Sequence, residues 1–130
     1  MILPGNLEHT LPKVVYDEIE GKIDIKGRFI APNAAAYFAD FLPYLRDCLQ
    51  KNPMDITVNV DLEYFSTTAS KVLMEFFYIL KQEIQDKKKY KVTVNWYYEE
   101  GDFDMQESGE DYEGLSHLNF NIIQKEEEPE

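Results

Sequence analysis

Residues 56–64, ITVNVDLEY, alternate without a break, with Ile56, Val58, Val60, Leu62 and Tyr64 on one side and Thr57, Asn59, Asp61 and Glu63 on the other. A period of two predicts a strand with one apolar and one polar face. KVTVNWYY (91–98) repeats the pattern, setting Val92, Val94, Trp96 and Tyr98 against Thr93, Asn95 and Tyr97. NFNIIQ (119–124) reads as a last strand. KVVYD (13–17) and KIDIKG (22–27) read as two short strands joined by the EIEG turn, with Gly21 at the reversal.

Between the strands the period changes to three and four. Ala34, Tyr37, Phe38, Phe41, Leu42, Leu45 and Leu49 form one helical stripe, with Pro32 and Asn33 suited to its start. Pro43 lies inside it and predicts a kink, because it has no N–H for the bond to Ala39. A second stripe, Val72, Leu73, Phe76, Phe77, Leu80 and Ile84, carries Glu83 and Lys87 as an i,i+4 ion pair and ends in KKKYK. The acidic stretch 99–115, EEGDFDMQESGEDYEGL, reads as a short solvated helix, with Asp102 and Asp104 favoured near its N-terminus.

The alternation selects the architecture. A sheet covered on both faces would read as near-continuous apolar runs, whereas these strands keep a Thr- and Asn-rich face. The expectation is a two-layer α/β fold, a mixed sheet with helices on one face, in the order β-β-α-β-α-β-α-β. Thr57, Asn59, Asp61, Thr93 and Asn95 are expected exposed on the other face. Residues 1–125 form one domain in this reading, and EEEPE (126–130) a disordered acidic tail.

Composition narrows the function. Hydrophobic residues at 44% and aromatics at 14% argue for a packed core in a 130-residue chain. The net charge of -12 repels phosphate backbones and anionic lipid, which disfavours nucleic-acid and membrane partners and fits a protein partner with a basic face. Cys48 stands alone, so an internal disulfide is excluded. MILPGNLEHT has no basic segment leading an apolar one, and no apolar run approaches a membrane span. These features point to a cytoplasmic protein.

The candidate chemistry sits in YFSTTASK (64–71), where a strand runs into a helix and Ser66, Thr67, Thr68 and Ser70 cluster beside Lys71. Three uses are open. A Ser66 or Thr67 cap would stabilise the helix by roughly 1 kcal/mol but occupies a single hydroxyl. Anion binding at the helix N-terminus is the second, though no glycine is present to wrap a phosphate. Covalent phosphorylation is the third, favoured by the helix dipole and by Lys71 one turn on.

Asp102, Asp104, Glu107, Glu110 and Asp111 raise a metal question, but their spacing does not match a calcium loop. His9, His117 and Cys48 lie outside any catalytic motif, so no catalytic residue, metal or cofactor is assigned. A small ligand-binding protein or enzyme using Asp61, Glu63 and Asn95 on the polar sheet face is the alternative.

Three stretches, GRFIAPNAAAYFADFLPYL (27–45), LEYFSTTASKVLMEFF (62–77) and WYYEEGDFDMQESGEDY (96–112), resemble the SiaC family of bacterial regulatory phosphoproteins. The two-layer order, with hydroxyls where a strand feeds a helix, resembles the STAS fold of anti-sigma-factor antagonists. The family turn pattern is similar to Asn-Thr-Ser-Ser-x-Lys, and here it stands as Ser66-Thr67-Thr68-Ala69-Ser70-Lys71. The resemblance places the phosphoacceptor on Thr67, whereas Thr68 aligns with the acceptor of classical anti-sigma antagonists. Ser66, Ser70, Lys71, Asp102 and Asp104 are its expected phosphate-neighbouring or partner-binding residues. It implies a non-catalytic switch set by a Ser/Thr kinase and a PP2C-type phosphatase. The unphosphorylated form would bind and activate an output protein, a diguanylate cyclase that makes c-di-GMP.

The charge of -12 opposes self-association. Light scattering of the isolated protein should therefore report a monomer at low salt, and a stable dimer there would contradict this.

Overall fold

The computed structural model describes residues 1–126. Strands Ile2–Leu3 (β1), Lys13–Asp17 (β2), Lys22–Phe29 (β3), Ile56–Phe65 (β4), Val92–Tyr98 (β5) and Asn119–Gln124 (β6) form one six-stranded mixed sheet in chain order. β1, β2 and β3 pair antiparallel, and β3 to β6 pair parallel. Helices Ala34–Phe38 (α1) and Phe41–Lys51 (α2) link β3 to β4. Thr67–Glu83 (α3) links β4 to β5, and Phe103–Ser116 (α4) links β5 to β6. Four residues of the expected tail, 127–130, lie outside the described residues.

The inward residues of the strands and the buried faces of the helices form one core, so the helices cover a single face. Phe29, Phe38, Phe41, Phe76, Phe77 and Trp96 are its largest fully buried side chains. Most of their contacts are edge-on or tilted, as ring quadrupoles favour; Phe38 and Phe41, for example, lie 5.3 Å apart at 77°, while Phe41 and Phe76 stack at 6.0 Å. Trp96 also donates its indole N–H to the Met105 carbonyl at 2.9 Å, fixing α4 over β5.

The structure departs from the sequence reading in several places. β1 was not expected: it is too short for any periodicity, and it forms because its backbone pairs with Val14 and Val15. The expected first helix is two. A continuous helix would drive the Pro43 ring into the Ala39 carbonyl; breaking at Ala39–Asp40 puts Pro43 in the first turn of α2, where no intrahelical N–H is needed.

Tyr64 is 59% exposed rather than inward. Gly27 pairs with Leu62 but Arg28 with Tyr64, so Glu63 is an extra residue in β4 and the alternation changes sides there. Phe65 packs inward instead, against Trp96 and Tyr112.

On the uncovered face Thr57 is exposed as expected, but Asn59, Asp61, Thr93 and Asn95 are half-buried. In-register pairing shields these flanks. Nor is α4 solvated all round, since it buries Met105, Gly109, Tyr112 and Ser116. Glu83 is 5% exposed and accepts from Arg46 and Gln50 of α2 as well as from Lys87. That arrangement ties α2 to α3, beyond the expected surface pair.

Gly109 explains how closely α4 approaches the sheet. A Cβ there would stand 2.5 Å from Trp96 Cδ1 and 2.8 Å from Ile122 Cδ1, whereas one at Gly114 would meet nothing within 4 Å. Alanine improves helix propensity by about 1 kcal/mol at either position, but overpacking against a pinned indole costs about 1–3 kcal/mol. Gly109→Ala should therefore lower the denaturation midpoint and Gly114→Ala hold or raise it, as chemical unfolding will measure. Equal effects would refute the close-packing assignment.

Candidate functional site at the turn between β4 and α3

β4 carries the chain to Ser66 in extended conformation, with φ −81° and ψ 168°. The Ser66 N–H donates to the Phe29 carbonyl at 2.9 Å, tying the turn to the end of β3. Its hydroxyl accepts from the Ala69 N–H at 3.1 Å, and its carbonyl accepts from the Ser70 N–H at 2.9 Å. Ser66 is thus the N-cap of α3. Ser70 turns its hydroxyl inward, donating to the Thr67 carbonyl at 2.6 Å.

Two of the clustered hydroxyls are accordingly engaged in shaping the turn. Those of Thr67 and Thr68 are not. Both residues are exposed in the first turn of α3, and neither hydroxyl has a hydrogen-bond partner among the described residues. The N–H groups of these two residues have no i−4 carbonyl to reach and face the positive end of the helix dipole. Lys71 is exposed on the same turn, with no carboxylate within ion-pair distance among the described residues. An added anion here meets favourable charge without disturbing the core.

Lys71 stands between two open grooves. One, of about 510 Å³, is lined by Arg46, Met74, Glu75, Tyr78 and Ile79. The other, of about 350 Å³, has Phe65, Ser70 and Met74 on one wall and Ser108, Asp111, Tyr112 and Leu115 of α4 on the other. Tyr112 joins the walls by donating its hydroxyl to the Ser70 carbonyl at 2.9 Å, and burial raises its pKa so that it stays a donor.

The structure brings Ser66, Thr67, Thr68, Ser70 and Lys71 together but places Asp102 and Asp104 elsewhere. Asp102 caps α4 by accepting from the Met105 N–H at 3.1 Å, and Asp104 is exposed in that first turn. Neither lines the grooves beside Lys71. The α4 residues that do, Ser108, Asp111, Tyr112 and Leu115, follow at helical spacing. A sequence signal existed for the α3 side of the grooves: Met74 and Tyr78 are large apolar residues off the inward stripe of α3, and Tyr78 is 55% exposed. Among the described residues no group of three His, Cys, Asp or Glu side chains stands close enough to hold a metal ion.

The polar sheet face offers less free chemistry than its composition implies. Asn59 donates to Asp24 at 2.8 Å, Asn95 to Asn59 at 2.9 Å, and Asn121 to Asn95 at 3.0 Å. The Asp24 carboxylate only accepts, so it orients every amide in the row. Lys125 occupies Asp61 at 3.0 Å, and that carboxylate raises the lysine pKa. Glu63 projects at the bulge, apart from this row. Asp61, Glu63 and Asn95 do not converge on a common point.

The model of the SiaC family of regulatory phosphoproteins matches residues 6–125. The chain belongs to the SiaC family. Its fold is similar to that of SiaC of Pseudomonas aeruginosa, at 16% identity and a TM-score of 0.81 over 96% of this chain and 98% of that one. Apo-SiaC of the same organism gives 18% identity and 0.82, over 94% and 96% of the two chains. A chain from the complex of the diguanylate cyclase SiaD with its activator SiaC, also from Pseudomonas aeruginosa, gives 16% and 0.83, over 96% and 99%. No curated protein sequence matches significantly. The SiaC-family match runs from the loop after β1 through β6, and so includes the β4–α3 turn and both walls of the grooves.

The cap and the unbonded threonines are separable at this turn. Ser66→Ala should destabilise the protein by about 1 kcal/mol through the lost cap, while Thr67→Ala, with no partner to lose, should change stability by less than about 0.5 kcal/mol. Thermal unfolding of both variants checks this, and the reverse order would reassign the cap.

Proposed function

We propose that this chain is a non-catalytic signalling switch, phosphorylated on Thr67, with Thr68 as the second acceptor. A Ser/Thr kinase adds the phosphate and a PP2C-type phosphatase removes it. In its unphosphorylated form the protein binds and activates a diguanylate cyclase, and so acts in c-di-GMP signalling in the cytoplasm. Residues 1–125 act as one domain of STAS-like, anti-sigma-antagonist-like design. The observation that carries the reading is the division of labour among the turn hydroxyls: Ser66 and Ser70 are bound to backbone, Thr67 and Thr68 are exposed and unbonded. Membership of a family of regulatory phosphoproteins supports the modification. The cyclase comes from the similarly folded SiaC, the activator in complex with SiaD.

The phosphate acts on binding rather than on folding. It adds a charge of about −1.5 to −2 at a helix N-terminus beside Lys71, a position the domain tolerates. A partner packed against the bare turn must bury that dianion. Without a new cation on its own surface it loses about 3 kcal/mol or more, a hundredfold or greater fall in affinity. The grooves flanking Lys71, with Met74, Tyr78 and Leu115 on their walls, supply apolar surface for such a partner.

Mass spectrometry after incubation with the cognate kinase should place the phosphate on Thr67, and titration of the cyclase should show the hundredfold loss. Thr67→Ala should remain folded, resist phosphorylation and stay in the binding form. A phosphosite outside the turn, or equal affinity of the two forms, would falsify the reading.

A further inference from the structure

A separate cleft, of about 530 Å³, opens at the carboxyl ends of β3 and β4 and is lined by Lys13, Lys26, Arg28, His9 and Glu63 among others. Its charge runs against the rest of the molecule. The chain holds 25 acidic residues against 13 Lys and Arg, yet three of those cations meet here and none forms an ion pair among the described residues. Lys13 and Lys26 are directly opposite in the antiparallel β2–β3 pair, where like charges oppose pairing. Glu63 is the one carboxylate in the lining, and the two that flank the lysines along the strands are already occupied. Asp61, in register with Lys26, holds Lys125, and Asp24 accepts from Asn59 and faces Lys22.

The cleft wall is preformed. Asn6 folds the loop after β1 by accepting from the Thr10 and Leu11 N–H groups at 2.9 and 3.0 Å. Tyr37 of α1 braces the same loop, accepting from the Gly5 N–H and donating to the Pro12 carbonyl, both at 2.7 Å. A rigid concave site of this volume suits a small molecule better than a flat charged patch does.

We propose that this cleft binds a small phosphorylated metabolite of about mononucleotide size, its anionic groups held by Lys13, Lys26 and Arg28. Glu63, raised into the cleft by the β4 bulge, accepts a hydrogen bond from a hydroxyl or amino group of the same molecule. Arg28 and Glu63 lie just before Phe29 and Phe65, and Phe29 holds Ser66, so ligand and switch turn share one end of the β3–β4 pair. The site is independent of the phosphorylation reading, because it is tested on unphosphorylated protein and involves neither threonine.

The test is an NMR titration of the full chain with AMP and with pyrophosphate, repeated at higher salt. Saturable one-to-one binding is expected, with amide shifts at residues 6–9 and 26–28. The variant Lys13→Thr with Lys26→Thr should bind at least about tenfold more weakly. Its melting temperature should hold or rise, since the like-charge pair is gone and threonine suits a strand. Arg28→Gln should weaken binding independently, and Lys88→Thr with Lys89→Thr should leave it unchanged. The proposal is overturned by no saturation with either probe, or by equal loss in the Lys88/Lys89 control. It is overturned equally by shifts confined to residues 66–71, or by binding of tetraglutamate but of neither phosphate, which would make the surface a peptide site.

Discussion

The extra residue at Glu63 in β4 sets the geometry on which the turn and both its neighbours depend. Up to Leu62 the strand keeps regular register with β3, and its odd-numbered residues Thr57, Asn59 and Asp61 lie on the uncovered face. The bulge exchanges the two sides, so Phe65 enters the core against Trp96 and Tyr112 while Tyr64 swings out. With Phe65 anchored, Ser66 arrives within reach of the Phe29 carbonyl and caps α3. Thr67 and Thr68 then have nowhere to point but outward. The same bulge leaves Glu63 projecting into the cationic cleft beside Arg28. One inserted residue therefore positions the exposed threonine turn and the cationic cleft at the same end of the sheet.

Around that end the fold is held stiffly by contrasting means on its two faces. On the covered face aromatic side chains interlock, and Gly109 lets α4 come down onto Trp96. On the uncovered face the row Asp24–Asn59–Asn95–Asn121 crosses β3 to β6 in register. A carboxylate at one end gives the row a single polarity, so half-buried amides are satisfied without a covering layer. Glu83 plays a comparable part between helices: a nearly buried carboxylate with Arg46, Gln50 and Lys87 as donors ties α2 to α3, and removing a donor would leave charge uncompensated there.

This stiffness matters for signalling. A modification at an exposed turn changes partner binding most cleanly when the domain beneath it does not reorganise. Thr67 and Thr68 lie at the start of a seventeen-residue helix whose inner face is wholly in the core, so the charge change of the proposed modification would be confined to the surface. The fold shared with SiaC at TM-scores of 0.81–0.83, despite identities of only 16–18%, shows that the scaffold tolerates wide sequence change.

Periodicity alone determined most of the architecture. The strands from β2 to β6, the inward stripes of α2 and α3, and the one-sided layering were all legible, because burial of one face imposes a period of two or 3.6 wherever it occurs. The hydroxyl cluster was legible as a strand-to-helix junction, and the structure adds which hydroxyls are bonded there, Ser66 as the cap and Ser70 to the Thr67 carbonyl. Tertiary structure decided the rest, in each case through pairing between distant residues. β1 is a strand because β2 offers it an edge. Tyr64 and Phe65 trade places because β3 supplies one residue fewer opposite the bulge. The asparagine row exists because four strands share a register, and the cationic cleft because β2 and β3 align Lys13 with Lys26. Register is a relation between segments, and no period within a single segment encodes it.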